Sequence, residues 1–359
     1  MTNQRSLQVS SLDANGTKRV GTYIQRVVLP TLTRQVVFVC CLAHGMAQSS
    51  PAEPGGVVDF FAEFSLENPA GGLPLLPGRL YLPPEANADP RPLILFLHGA
   101  GESGTDNVRQ VCRNIDDLIV ESALSGSFLY APQTHLGWHG RTVADQVMSM
   151  VDRAIALYAV DPARIYVTGL SMGGSGTWNM LHWYGERFAA GVPVAGASPG
   201  FDFQPASLLD EPIWAFHARR DPVVPVEFTR EVLDSVIEAG GGSPPNYPPL
   251  DARGDFQFAA TSLDLRYTEY DRDDHNDGVW NTVYRTPELY DWMYSHRSAA
   301  VPEPHLGPIA GIAFLAIGQN LLRSVLGQSP TRVGFATLEG ALAPPTSCPR
   351  APFHEVASL

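Results

Sequence analysis

The chain has 359 residues, of which 44% are hydrophobic and 17% charged. That composition excludes a disordered or fibrous protein and is enough for one large α/β domain or two modest ones. A formal net charge of -13 repels phosphate backbones and argues against nucleic acid as a partner. The four cysteines, Cys40, Cys41, Cys112 and Cys348, show no CxxC spacing, so thiolate metal binding is not expected; a Cys112–Cys348 bridge stays open.

In chain order, Arg26 and Arg34 come first, ahead of "VVFVCCLAHGMAQSS". The apolar run from Val36 to Ala43 is too short to span a bilayer. With its basic flank and the small residues Gly45 and Ala47, it reads as a secretory signal cleaved near Ala47, a buried strand being the alternative. The following "SSPAEPGG" reads as a linker. The expected organisation is a signal region and linker over 1–56, a folded domain over 57–298 and a tail over 299–359.

Within the domain, strands and helices alternate. "PLILFLHG" (Pro92 to Gly99) is a continuous apolar run ending in glycine, the pattern of a buried parallel strand, and "GSFLYAPQ" (Gly126 to Gln133) is another. Val147, Val151 and Ile155 recur at helical spacing within Val143 to Val160. "RIYVTG" (Arg164 to Gly169) predicts a strand and "SGTWNMLHWYGERF" (Ser175 to Phe188) a helix. "AAGVPVAG", "PIWAFHA" and "LRYTEY" supply further strands; "VEFTREVLDSVIEAGG" and "PELYDWMYSHR" carry helix stop and start signals. The fold class is therefore α/β, a mostly parallel sheet with helices on both faces and functional groups at the C-terminal strand ends. The Pro- and Gly-rich stretch 242–262 is too long for an ordinary connection and reads as either a cover over the site or a passive surface insertion.

"GLSMGG" follows the Arg164 strand and opens a helix, which is G-x-S-x-G in the strand–turn–helix setting that exposes a serine nucleophile. Ser171 is the candidate, with Gly169 and Gly173 leaving room for a strained turn. A serine hydroxyl needs a base. Of the downstream histidines, His182 lies in the helix after the turn, His217 inside a strand and His296 at the end of the last helix. His275, in the loop after "LRYTEY", has both the order and the address. Asp221, just after "PIWAFHA", is the candidate acid that would fix the imidazole tautomer; a turn or cap role is the alternative. An oxyanion hole requires two backbone N–H groups, from Met172 after the serine and from Ala100 or Gly101 in "LFLHGAGESGTDN".

These segments, together with "LYAPQ", "RFAAGVPVAG", "WAFHARRDPVVP" and "HNDGVWNTVYRTPELYDWM", resemble the bacterial esterase group related to polyhydroxybutyrate depolymerases and phospholipase/carboxylesterases, often labelled "predicted peptidase". The resemblance spans most of Arg79 to His296. It implies an α/β-hydrolase fold, Ser171 as nucleophile, His275 as base, Asp221 as acid, and Ala100 with Met172 as oxyanion donors. It implies no cofactor and no metal. The chain departs from the group in its insertion and in its histidine loop, where Asp274 precedes His275 and Trp280 follows. Trp138 and Trp280 are candidate walls of a substrate pocket, or else core aromatics; Trp178, on the nucleophile helix, reads as core.

After the domain, "VPEPHLGPIAGIAFLAIGQNLLRS" resembles the PEP-CTERM sorting signal of secreted bacterial proteins, which a membrane-embedded sorting enzyme recognises and removes. The apolar run is interrupted and a further tail follows, unlike the usual form of that signal. Signals at both ends imply export, to the cell surface, periplasm or medium. The expected protein is an exported serine hydrolase acting on an ester substrate, which could be polymeric. A peptidase of the same fold, or a catalytically silent carbohydrate-binding module, are the competing readings.

"DRDDHNDG" (Asp271 to Gly278) packs acids around His275. It lacks the glycine and closing glutamate of an EF-hand, although its oxygens leave a looser cation site open. The acids should favour the charged imidazole, and Asp274 and Asp277 are rival partners for it.

Overall fold

The computed structural model describes residues 7–12, 18–23 and 57–299 except 85, 198, 201 and 276, with backbone only for the first two segments and for residue 277. The stretch read as a secretory signal and the PEP-CTERM-like segment lie outside these residues. The chain divides into two units, Met1–Glu53 and Pro54–Leu359. In the first, β1 (Leu7–Leu12) pairs antiparallel with β2 (Lys18–Tyr23), Leu7 opposite Tyr23.

The second unit is built on a nine-stranded sheet. Its strands are β3 (Phe61–Glu63), β4 (Gly78–Tyr81), β5 (Arg91–Leu97), β6 (Phe128–Pro132), β7 (Val160–Leu170), β8 (Ala190–Val194), β9 (Ile213–Ala218), β10 (Phe256–Ala259) and β11 (Leu265–Tyr270). Their spatial order is β10-β11-β9-β8-β7-β5-β6-β4-β3. From β6 to β11 the pairings are parallel, while β3, β4 and β10 pair antiparallel at the edges. After β5 the chain adds β6 on one side and then returns to place β7 on the other. The C-terminal ends of β5 and β7 thus flank a switch point, where an open parallel sheet forms a crevice.

Residues alternate between two cores. Leu93, Leu95 and Leu97 of β5 pack on one face, under α2 (Arg141–Leu157), α3 (Met172–Tyr184) and α4 (Glu227–Ala239). Ile94 and Phe96 face the other way, toward α1 (Asp116–Ser125), α5 (Asp277–Tyr284) and α6 (Pro287–Ser295). Both faces of the central strands are buried, which is why they read as unbroken apolar runs. Ser298 N–H donates to Ala163 O.

Two expectations change in the structure. The helix expected to reach Val160 stops at Leu157, Tyr158 is extended, and Val160 already opens β7. Pro162 cannot continue a helix and sits where the β5–β7 register shifts. The stretch 242–262 contains β10, which extends the sheet by one antiparallel strand. Tyr247 packs edge-on against Phe256 and Tyr267, under the Arg230 guanidinium. The segment is therefore built into the sheet edge, and is neither a passive surface loop nor a free cover. Cys112 is disulfide-bonded.

Candidate active site

Ser171 stands between β7 and α3 with φ 55° and ψ −115°, a conformation that costs free energy and persists only where the surroundings enforce it. The enforcement is visible. Ser171 N–H donates to Val194 O at the end of β8, and Ser171 O accepts from Ser175 N–H. A Cβ on Gly173 would lie 1.9 Å from Leu97 O, and one on Gly169 2.4 Å from Gly173 O. Only glycine lets α3 approach β5 and β7 so closely.

β9 and β11 are parallel neighbours in register, Ala218 opposite Tyr270, so the loops that follow them start at one level. They bring Asp221 and His275 together. With its ring proton on Nδ1, His275 donates to Asp221 Oδ2 at 2.6 Å, and its Nε2 accepts from Ser171 Oγ at 2.8 Å. His275 and Asp221 are both buried. Asp221 Oδ1 accepts the N–H groups of Val223 and Val224 at 2.8 and 2.9 Å. Burial works against the Asp221 carboxylate, but the adjacent His217 and His275 imidazoles and the Val224 N–H outweigh it. The group is held well below the usual carboxylate range.

The rejected histidines have other partners. His182 bonds Ser207 and His296 bonds Asp264. His217 is buried in its strand as the sequence suggests, yet it is not idle. Its Nε2–H donates to Val224 O at 2.9 Å and lies 3.4 Å from Asp221 Oδ2, while Thr229 holds Nδ1. The sequence placed His217 in the strand but gave no sign of which side chain it faces. The acids beside His275 also have their own partners: Asp274 pairs with Arg272, and Asp271 with Arg220. Asp274 is thus not seen on the His275 imidazole; the Asp277 side chain lies outside the described residues.

Met172 opens α3, and Ala100 opens a short 3-10 turn, Ala100–Glu102, that also contains Gly101. The N–H at the first residue of a helix has no partner within that helix. The two turns abut: a Cβ on Gly99 would lie 3.5 Å from Leu170 O and 3.8 Å from Ser171 Cβ. His98 anchors the first turn. Its Nδ1–H donates to Gly99 O at 2.7 Å and its Nε2 accepts from Thr134 N–H at 3.1 Å. Burial pushes its pKa down to about 4, against the opposing effects of the Gly99 carbonyl and Asp106, so the ring is neutral as those bonds require. Trp138 donates from Nε1 to His98 O at 3.0 Å and packs edge-on against that ring. Trp280 packs edge-on against His275, centroids 5.5 Å apart. Both tryptophans are buried, each packed against a histidine of the site. Trp178 is core, as expected.

The strand order and the elbow define the class: the chain has the α/β-hydrolase fold, with Ser171, His275 and Asp221 joined by hydrogen bonds at its elbow. The pattern of the prolyl oligopeptidase family matches residues 130–201. Acetylxylan esterase A of Emericella nidulans is 29% identical over 140 residues, covering 37% of this chain and 46% of that protein. Poly(3-hydroxyalkanoate) depolymerase C of Paucimonas lemoignei is 36% identical over 86 residues, covering 20% of this chain and 21% of that protein. The chain thus spans less than half the length of these two curated relatives. The crystal structure of a thermostable esterase is similar at 31% identity and a TM-score of 0.53, over 67% of this chain and 64% of that one.

Proposed function

We propose that this protein is an exported serine hydrolase that cleaves carboxylic esters through an acyl-enzyme. The observation that carries the reading is the hydrogen-bonded relay from Ser171 through His275 to Asp221, set at a strained elbow. Ser171 Oγ attacks the ester carbonyl carbon while His275 Nε2 takes its proton. Asp221, held ionised, keeps the proton of the neutral ring on Nδ1 and stabilises the imidazolium. The N–H groups of Met172 and Ala100, with Gly101 as the alternative to Ala100, receive the developing oxyanion. His275 then protonates the departing alcohol, and water attacks the acyl-enzyme by the reverse proton path.

Ester chemistry is supported by the relatives named above, an acetylxylan esterase, a polyhydroxyalkanoate depolymerase and an esterase of known structure. Two of those names point to a polymeric substrate. Export is supported by the signal-like run near the start and by the PEP-CTERM-like segment that a sorting enzyme would remove. A peptidase reading draws on one observation, the match of residues 130–201 to the prolyl oligopeptidase family. Purified protein should hydrolyse short p-nitrophenyl esters far faster than aminoacyl anilides, and Ser171→Ala should abolish both. The reverse preference would make it a peptidase, and activity undiminished in Ser171→Ala would remove the serine mechanism.

A further inference from the structure

The relay needs two loops from different strands to stay within hydrogen-bond distance, and the insertion reaches both. Arg219 and Arg220 lie immediately before Asp221. Arg219 Nη1 donates to Ala252 O at 2.9 Å and Arg220 Nη1 to Leu250 O at 3.2 Å. Arg230, on α4, donates to Pro248 O at 2.9 Å. Three arginines thus hold alternate carbonyls of one segment, those of Pro248, Leu250 and Ala252. On the other side, Asp271 opens the loop that carries His275. Its Oδ2 accepts Gly254 N–H and its own N–H donates to Asp255 Oδ1, both at 2.8 Å. The two loops also meet directly. Arg220 N–H donates to Arg272 O at 3.0 Å, and Arg220 Nη2 makes an ion pair with Asp271 Oδ1 at 2.8 Å.

We infer that Arg220 and Asp271, braced by the inserted segment 248–255, are positioning residues that set the spacing between Asp221 and His275. Neither touches the reacting atoms. They hold the backbone on each side of the Asp221–His275 hydrogen bond, one residue before the acid and four before the histidine. The inference rests on the proposed serine mechanism and adds to it the purpose of the insertion: a cross-brace between the acid loop and the histidine loop, in place of a short connection.

A double-mutant cycle separates this from a general loss of structure, because a brace that acts through one bond has nothing left to do once that bond is lost. The rate of labelling by a fluorophosphonate and kcat on a p-nitrophenyl ester are to be measured for the wild type, Asp271→Asn, Asp221→Asn and the double variant. Asp271→Asn should lower both roughly 10- to 100-fold with KM little changed, as small misplacements of reacting groups do. In the Asp221→Asn background the same substitution should change them less than about threefold, since contacting groups couple non-additively. Arg220→Lys, which keeps the charge, should retain more activity than Arg220→Gln. Equal losses from Asp271→Asn in both backgrounds, or no loss in the wild type, would overturn the brace while leaving the serine mechanism intact. Failure of the wild type itself to label would overturn both.

Discussion

Asp221 accepts hydrogen bonds from His275, Val223 and Val224 and faces His217, so its carboxylate is fixed in place as well as in charge. Asp221→Asn keeps the shape but can present its amide N–H to Nδ1 and leave the imidazole in the wrong tautomer. By analogy with the same change in other triads, kcat should fall about 10⁴-fold with little change in KM. Retention of most activity would move the acid to Asp277 or Asp274. That Ser171, His275 and Asp221 come together was legible because three local signals agree: a glycine-framed serine, and an acid and a histidine each just past a strand. The helpers were not. His98 and His217 act through contacts with Thr134 and with Asp221, made by folding, and no spacing in the sequence announces them.

At the scale of elements, the buried central strands were legible because both of their faces are covered and the apolar runs are continuous. β3 and β10 were missed because they are short, partly exposed edge strands, β10 hiding among prolines and glycines, and β4 because it is only four residues long. What stabilises that edge is Glu269 on β11. It receives Arg219 Nε at 2.6 Å, Arg230 at 2.8 and 2.9 Å, and Tyr267 Oη–H at 2.8 Å. Burial alone would raise its pKa, but the two arginines and Tyr267 outweigh that and lower it. Glu269→Leu would leave the buried Arg219 guanidinium uncompensated. It should cost about 3–5 kcal/mol in unfolding free energy, measured by urea titration. A loss below about 1 kcal/mol, the range of exposed pairs, would show that the network does not hold the edge.

The whole molecule carries an excess of acids, and two kinds of buried carboxyl group make its stability depend on pH in opposite senses. Asp221 and Glu269 have lowered pKa values in the fold, so their contribution is full above the unfolded value of about 4 and is lost on acidification below it. Glu211 is the opposite case: burial first, then the charges of Glu186 and Asp210, raise it to about 7. The folded chain keeps that proton where the unfolded chain has released it, so the Glu211 contribution is full below about pH 4.3 and is lost as pH rises to about 7. Glu211→Gln should therefore raise the urea midpoint at pH 7.5 relative to wild type, and raise it less at pH 4.5. The same difference at both pH values would contradict the assignment. At this scale the sequence was legible as an α/β architecture with a mostly parallel sheet.

The central claim is that Ser171 is activated by His275 and Asp221. Its most direct test is labelling of the purified protein with a fluorophosphonate, followed by mass mapping of the modified peptide. The account predicts one adduct, on Ser171 within "GLSMGG", absent in Ser171→Ala and strongly slowed in His275→Ala. An adduct on another residue, or none under conditions where the folded wild-type protein hydrolyses an ester, would contradict it.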